Sequence, residues 1–139
     1  MAYKTVPWTP PVPEVERDVP AARSRIEAEV AAAVVEWART ALQMSADEVA
    51  TTLSVSDRTV KRWAQRRSGP AADQRAALRK LHNLHHLTEA VFTGPEAALK
   101  WFHSPSEAFQ GDAPIQVALD GRLDKVLAVL AAVDSGSHF

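Results

Sequence analysis

The chain has 139 residues, 46% of them hydrophobic, a formal net charge of −1 and no cysteine. That length holds one domain, or two small ones sharing a core. The composition excludes disulfides and thiolate metal sites, and no stretch approaches the ~18 apolar residues of a membrane-spanning helix. A cytoplasmic protein is expected, because the N-terminus shows no continuous apolar core followed by a small-residue cleavage site.

Five of the nine prolines fall in residues 1–20: Pro7, Pro10, Pro11, Pro13 and Pro20. Their density predicts a non-helical, extended or disordered arm over 1–20, with Trp8 as a possible anchor. A first helix is expected from Asp18 or Pro20 to about Leu42. Its predicted inner face is Ile26, Val30, Ala33, Val34, Trp37, Ala38 and Ala41, at three- and four-residue steps.

Residues 45–63 carry two short helix signals back to back. Ser45 with Glu48 spells a capping box, and Val49, Ala50 and Leu53 give one apolar face. Ser54-Val55 makes the break, with Ser54 where a glycine would suit a positive φ. Ser56 caps a second helix, with Val60 and Trp63 inward and Arg58, Lys61 and Arg62 outward. Small Ala50 lets the helices cross closely. The pattern predicts a helix-turn-helix, and Gly69-Pro70 is expected to end its second helix at Ser68.

Charge follows the motif. Between Ser56 and His82, Arg58, Lys61, Arg62, Arg66, Arg67, Arg75, Arg79 and Lys80 outweigh Asp57 and Asp73, a net of +6. From Asn83 onward the net is −4. A polyanion partner at the basic block fits this asymmetry. In the helix-turn-helix geometry Asp57, Arg58, Thr59 and Arg62 meet base edges, with arginine suited to guanine and the Thr59 methyl to thymine. Lys61, Arg66 and Arg67 suit phosphates, as do free backbone N–H groups at Ser45 and Ser56. Few base contacts per copy imply a homodimer on half-sites about 34 Å apart.

A long helix is predicted over 71–92, lined by Leu78, Leu81, Leu84, Leu87 (or His85) and Val91. His82, His85 and His86 share one of its faces, with Glu89 one turn beyond His85. A metal-dependent enzyme that binds zinc on the His82/His85/His86 face is the alternative from another function class, although no second ligand-rich segment supports it. Further on, Gly94-Pro95 starts a helix. Ser104-Pro105-Ser106-Glu107 reads as another capping box, and Gly111 ends that element. Asp112 with Pro114 begins the next helix and Gly121 ends it. Leu123, Val126, Leu127, Leu130 and Val133 form the last amphipathic helix. With no alternating strand pattern, the expected fold is all-α. Its parts are an arm over 1–20, a DNA-binding domain over 21–70, a linking helix over 71–92 and a small helical module over 93–139.

The framework Trp101, Pro105, Phe109, Gly111, Pro114, Leu119, Gly121, Val126, Leu130 and Gly136, behind a helix-turn-helix, resembles the toxin-binding domain of the Xre/MbcA/ParS antitoxins. The resemblance covers roughly Val34 to Gly136. It implies a non-enzymatic antitoxin, without cofactor, that blocks the active site of a RES-domain toxin consuming NAD⁺. The pair would repress its own operon through operator DNA. By position, toxin contacts would fall on Trp101, Phe102, Pro105, Phe109, Pro114, Leu123, Gly136, Ser137, His138 and Phe139. A free-standing transcription repressor, whose last module only dimerises, is the nearer alternative.

Overall fold

The computed structural model describes residues 12–136. Among them the fold is all-α, with seven α-helices and no strand. They are α1 (Val12–Thr40), α2 (Ala46–Leu53), α3 (Asp57–Ala64), α4 (Arg75–Val91), α5 (Pro95–Phe102), α6 (Pro114–Leu119) and α7 (Leu123–Asp134). Short 3₁₀ turns at Ala72–Gln74 and Glu107–Phe109 complete the order. The helices α2 and α3 pack on α1, α7 lies along α4, and α6 reaches back to α2. One buried apolar cluster therefore runs from Ala31 to Leu130 and takes residues from both ends of the chain.

The arm expected over 1–20 needs correction. Its first eleven residues, with Trp8, lie outside the described residues, but from Val12 the backbone is already helical. Pro13 sits in the first turn, where a missing N–H costs nothing. Pro20 removes one internal hydrogen bond without ending the helix.

The inner face of α1 is also rotated from the expected one. Ala31, Val34, Val35, Ala38 and Leu42 are buried, whereas Ile26 is 64% exposed and Ala33 faces out. The run from Ala28 to Ala38 is apolar almost all round, so its periodicity left the phase open.

Helix ends account for the other departures. The helix α3 stops at Ala64, not Ser68, because Arg66 takes a left-handed φ of 58°. The Arg66 and Arg67 amides then return to the Trp63 and Arg62 carbonyls, closing a Schellman motif. Gly69 serves packing instead: a Cβ there would stand 3.3 Å from the Ala28 backbone nitrogen. In the segment after α5, Ser104 donates back to the Lys100 carbonyl, and Ser106 caps the 3₁₀ turn at Glu107–Phe109. Ala113, not Asp112, precedes the first turn of α6, which opens on Pro114. Along α7, Leu123, Val126 and Leu130 are buried, while Val133 lies 40% exposed.

Candidate nucleic-acid and partner interfaces

The motif at 45–64 is built as two capped helices around a left-handed corner. The Ser45 hydroxyl accepts from the Glu48 amide at 3.0 Å, and the Glu48 carboxylate accepts from the Ser45 amide at 2.9 Å. Ser54 has φ 56°, ψ 41°, and the Ser54 and Val55 amides return to the Thr51 and Ala50 carbonyls. This is a second Schellman closure, formed with serine where glycine carries no Cβ penalty. The Ser56 hydroxyl then accepts from the Thr59 amide at 3.0 Å, starting α3. Val60 and Trp63 are fully buried beneath it, and Ala50, 4% exposed, is the small residue at the crossing.

The outward face of α3 gathers Arg58, Lys61, Arg62, Gln65 and Arg67 around a groove of about 530 Å³. All five are exposed. Arg58, Arg62 and Arg67 form no ion pair with any described residue, whereas Lys61 Nζ lies 2.9 Å from Asp57 Oδ2. That contact holds the Asp57 carboxyl below the ordinary range and raises the Lys61 ammonium. Thr59 and Asp57 are half-buried at the start of the helix.

Two expected phosphate contacts are arranged otherwise. Arg66 turns away to Glu29 of α1, with Nε 2.9 Å from the carboxylate. The Ser45 amide is already committed to Glu48, so it is not a free donor. Beside the Arg66 pair, Arg75 clamps Glu27 through Nε at 2.8 Å and Nη2 at 3.3 Å. This pair depresses the Glu27 carboxyl. Together the two pairs fix the segment after α3 against α1. Sequence reasoning passed over Glu27 and Glu29, because pairs 48 and 37 residues apart leave no local pattern.

The residues expected to meet a toxin divide into two groups. Phe102 (1% exposed), Phe109 (7%) and Leu123 (3%) are core residues, as is Pro114, so in this fold they offer a partner no surface. A short helical module needs its bulky residues inside. Trp101 is half-buried, with ring centroids 5.4 Å from Phe92 and 6.3 Å from Phe109. Pro105 and Gly136 are exposed, while Ser137, His138 and Phe139 lie outside the described residues.

The histidine face does not converge. His85 stacks on Trp37 at 4.5 Å, and its Nε2 lies 3.3 Å from Glu89. His82 and His86 are exposed. Among the described residues no three His, Asp or Glu side chains are grouped to hold a metal. His103, which carried no signal in the sequence, joins segments 61 residues apart: its Nε2 lies 2.6 Å from the Leu42 carbonyl oxygen just beyond α1. Among the described residues no helix is long and apolar enough to cross a membrane.

Residues 87–136 match the family described as the antitoxin Xre/MbcA/ParS C-terminal toxin-binding domain. The chain is also similar to a chain in the crystal structure of the M. tuberculosis MbcT–MbcA toxin–antitoxin complex. The two are 25% identical with a TM-score of 0.56, over 78% of this chain and 96% of that one. No curated protein matches the sequence.

Proposed function

We propose that this chain is an antitoxin of the Xre/MbcA/ParS kind, whose C-terminal toxin-binding domain matches residues 87–136, that it neutralises a RES-domain toxin that degrades NAD⁺, and that it represses its own operon through α3. The toxin would dock on the 87–136 region, with Trp101, Pro105 and the end from Gly136 to Phe139 as contacts. Phe102, Phe109, Pro114 and Leu123 would act from beneath as scaffold. The acidic balance of this half suits a basic, nucleotide-phosphate-binding cleft. The DNA part rests on one observation above all: a capped helix-turn-helix whose outer face holds Arg58, Arg62 and Arg67 without ion pairs among the described residues. Bidentate arginine to guanine would carry the sequence preference, and Lys61 and Arg67 would hold phosphates. A homodimer would place two such helices on paired half-sites in the cytoplasm, without an enzymatic role for either copy.

Two measurements test the reading. Co-expression with the adjacent reading frame should yield a stable heteromer and rescue growth; a chain that purifies alone and rescues nothing leaves a free-standing repressor as the better account. On the promoter fragment, Arg62→Ala should cost about 1–3 kcal/mol and relax sequence preference. Lys61→Ala should chiefly flatten the salt dependence. Identical mobility shifts for both variants and the parent would remove α3 as the reading helix.

A further inference from the structure

The ends of α1 and α4 and the start of α5 enclose a cavity of about 440 Å³, within the ~300–1,000 Å³ of sites that hold a small group. Its lining is chiefly apolar and aromatic, with Trp37, Ala41, Phe92 and Ala98 among the walls. His85 fixes the Trp37 indole by stacking on it at 4.5 Å. Among the described residues the one ionisable group in the lining is Glu89. Its carboxylate meets no lysine or arginine within ion-pair distance, only His85 Nε2 at 3.3 Å. The backbone adds to the negative field. The cavity lies at the C-terminal end of α4, the negative end of that helix's dipole, and no basic residue in the last turn offsets it. The helix α5 starts at the same cavity, but Glu96 in its first turn already answers the positive end. Thr88 brings no donor, because its hydroxyl proton goes to the Leu84 carbonyl at 2.6 Å.

We propose that this cavity receives an arginine side chain of the toxin. The inference rests on the toxin reading above and deepens it. Every lining residue except Trp37 and Ala41 falls inside the matched stretch 87–136. The Phe92 ring lies 5.4 Å from Trp101, one of the contacts proposed above, so the cavity continues that surface. Chemistry chooses the occupant. Aromatic rings beside a carboxylate attract a cation and offer an anion nothing, which removes a DNA phosphate from consideration. An apolar side chain would cover Glu89 without pairing it and leave a carboxylate out of water. A guanidinium is planar, stacks on a ring and presents paired N–H donors to a carboxylate. A lysine ammonium is a compact, strongly hydrated charge and loses more on leaving water. The apolar stem of arginine suits the walls of Ala41 and Ala98.

The test measures binding of the full chain to the product of the adjacent reading frame. Glu89→Gln should weaken it about tenfold, and Glu89→Lys, which sets a cation in the same place, should weaken it further. Thr93→Arg should also weaken it, by supplying a guanidinium from the rim of the cavity. Glu89 and Thr93 are exposed, so the free variants should melt as the parent does. Glu96→Gln, at an exposed acid that does not line the cavity, should leave binding unchanged. Single alanine replacements of the toxin's arginines should then find one whose loss is not additive with Glu89→Gln. Additive losses for all of them would overturn the proposal and leave the toxin reading intact, as would parental affinity in both Glu89→Gln and Thr93→Arg. Equal losses from Glu89→Gln and Glu96→Gln would reduce the effect to general charge attraction and overturn it too. A parent that binds no toxin removes the reading and this inference together.

Discussion

Ser54 and Trp63 show what single side chains cost in the two-helix motif of α2 and α3. Ser54 holds φ 56° at the corner, a region in which a Cβ is strained. Ser54→Gly should therefore raise stability by about 1 kcal/mol, seen as a higher urea midpoint with an unchanged slope. Trp63 is fully buried, and its Nε1 has no hydrogen-bond partner among the described residues; the Thr52 hydroxyl nearby in sequence shares that condition. Trp63→Ala should cost about 3–5 kcal/mol. Trp63→Phe should cost markedly less, because it removes an unsatisfied donor while leaving most of the ring. Equal losses for the two variants would show that volume alone decides.

At the level of elements, the legible parts were those written in local chemistry. Ser45 with Glu48, Ser56, Gly94-Pro95 and Gly121 marked helix ends at the positions the backbone adopts. The ends that escaped were set by conformations no pattern encodes. Arg66 takes a left-handed turn, and Gly69 is small to let two backbones approach. The phase of α1 escaped because an alanine-rich run fits several faces. The groove of Arg58, Lys61, Arg62 and Arg67 follows from helical spacing, whereas the diversion of Arg66 to Glu29 requires the tertiary fold. The bond from His103 to Leu42 belongs to the same class, joining α5 to the end of α1 across 61 residues. His103→Ala should cost about 1 kcal/mol and speed amide exchange around residues 41–44, measured by mass spectrometry. Unchanged exchange there would show that α1 needs no such brace.

At the scale of the whole molecule, the shifted groups among the described residues are Glu27, Asp57, Lys61 and Arg66, and the first three bear on the pH response in the range a melt can reach. Glu27 and Asp57 have carboxyls lowered by Arg75 and Lys61, respectively. A lowered folded value contributes stability above the ordinary carboxylate range and loses it as pH falls through that lowered value. The Lys61 ammonium is raised, so its contribution holds below the ordinary lysine range and fades only as pH rises through the raised value. Thermal melts should therefore be level around neutrality and decline below about pH 4. Glu27→Gln should make that acid decline shallower. An identical acid limb in parent and variant would remove the Glu27–Arg75 clamp from the explanation.

The continuous interior has a consequence for how such a chain ends its life. Phe102, Phe109 and Leu130 lie in the same cluster as Val34 and Val60, so one shared interior joins the half proposed to read DNA to the half proposed to hold a toxin. A protease that opens either half exposes the interior of both. Whatever the molecule restrains would be released in a single event, without an intermediate that keeps one task and abandons the other.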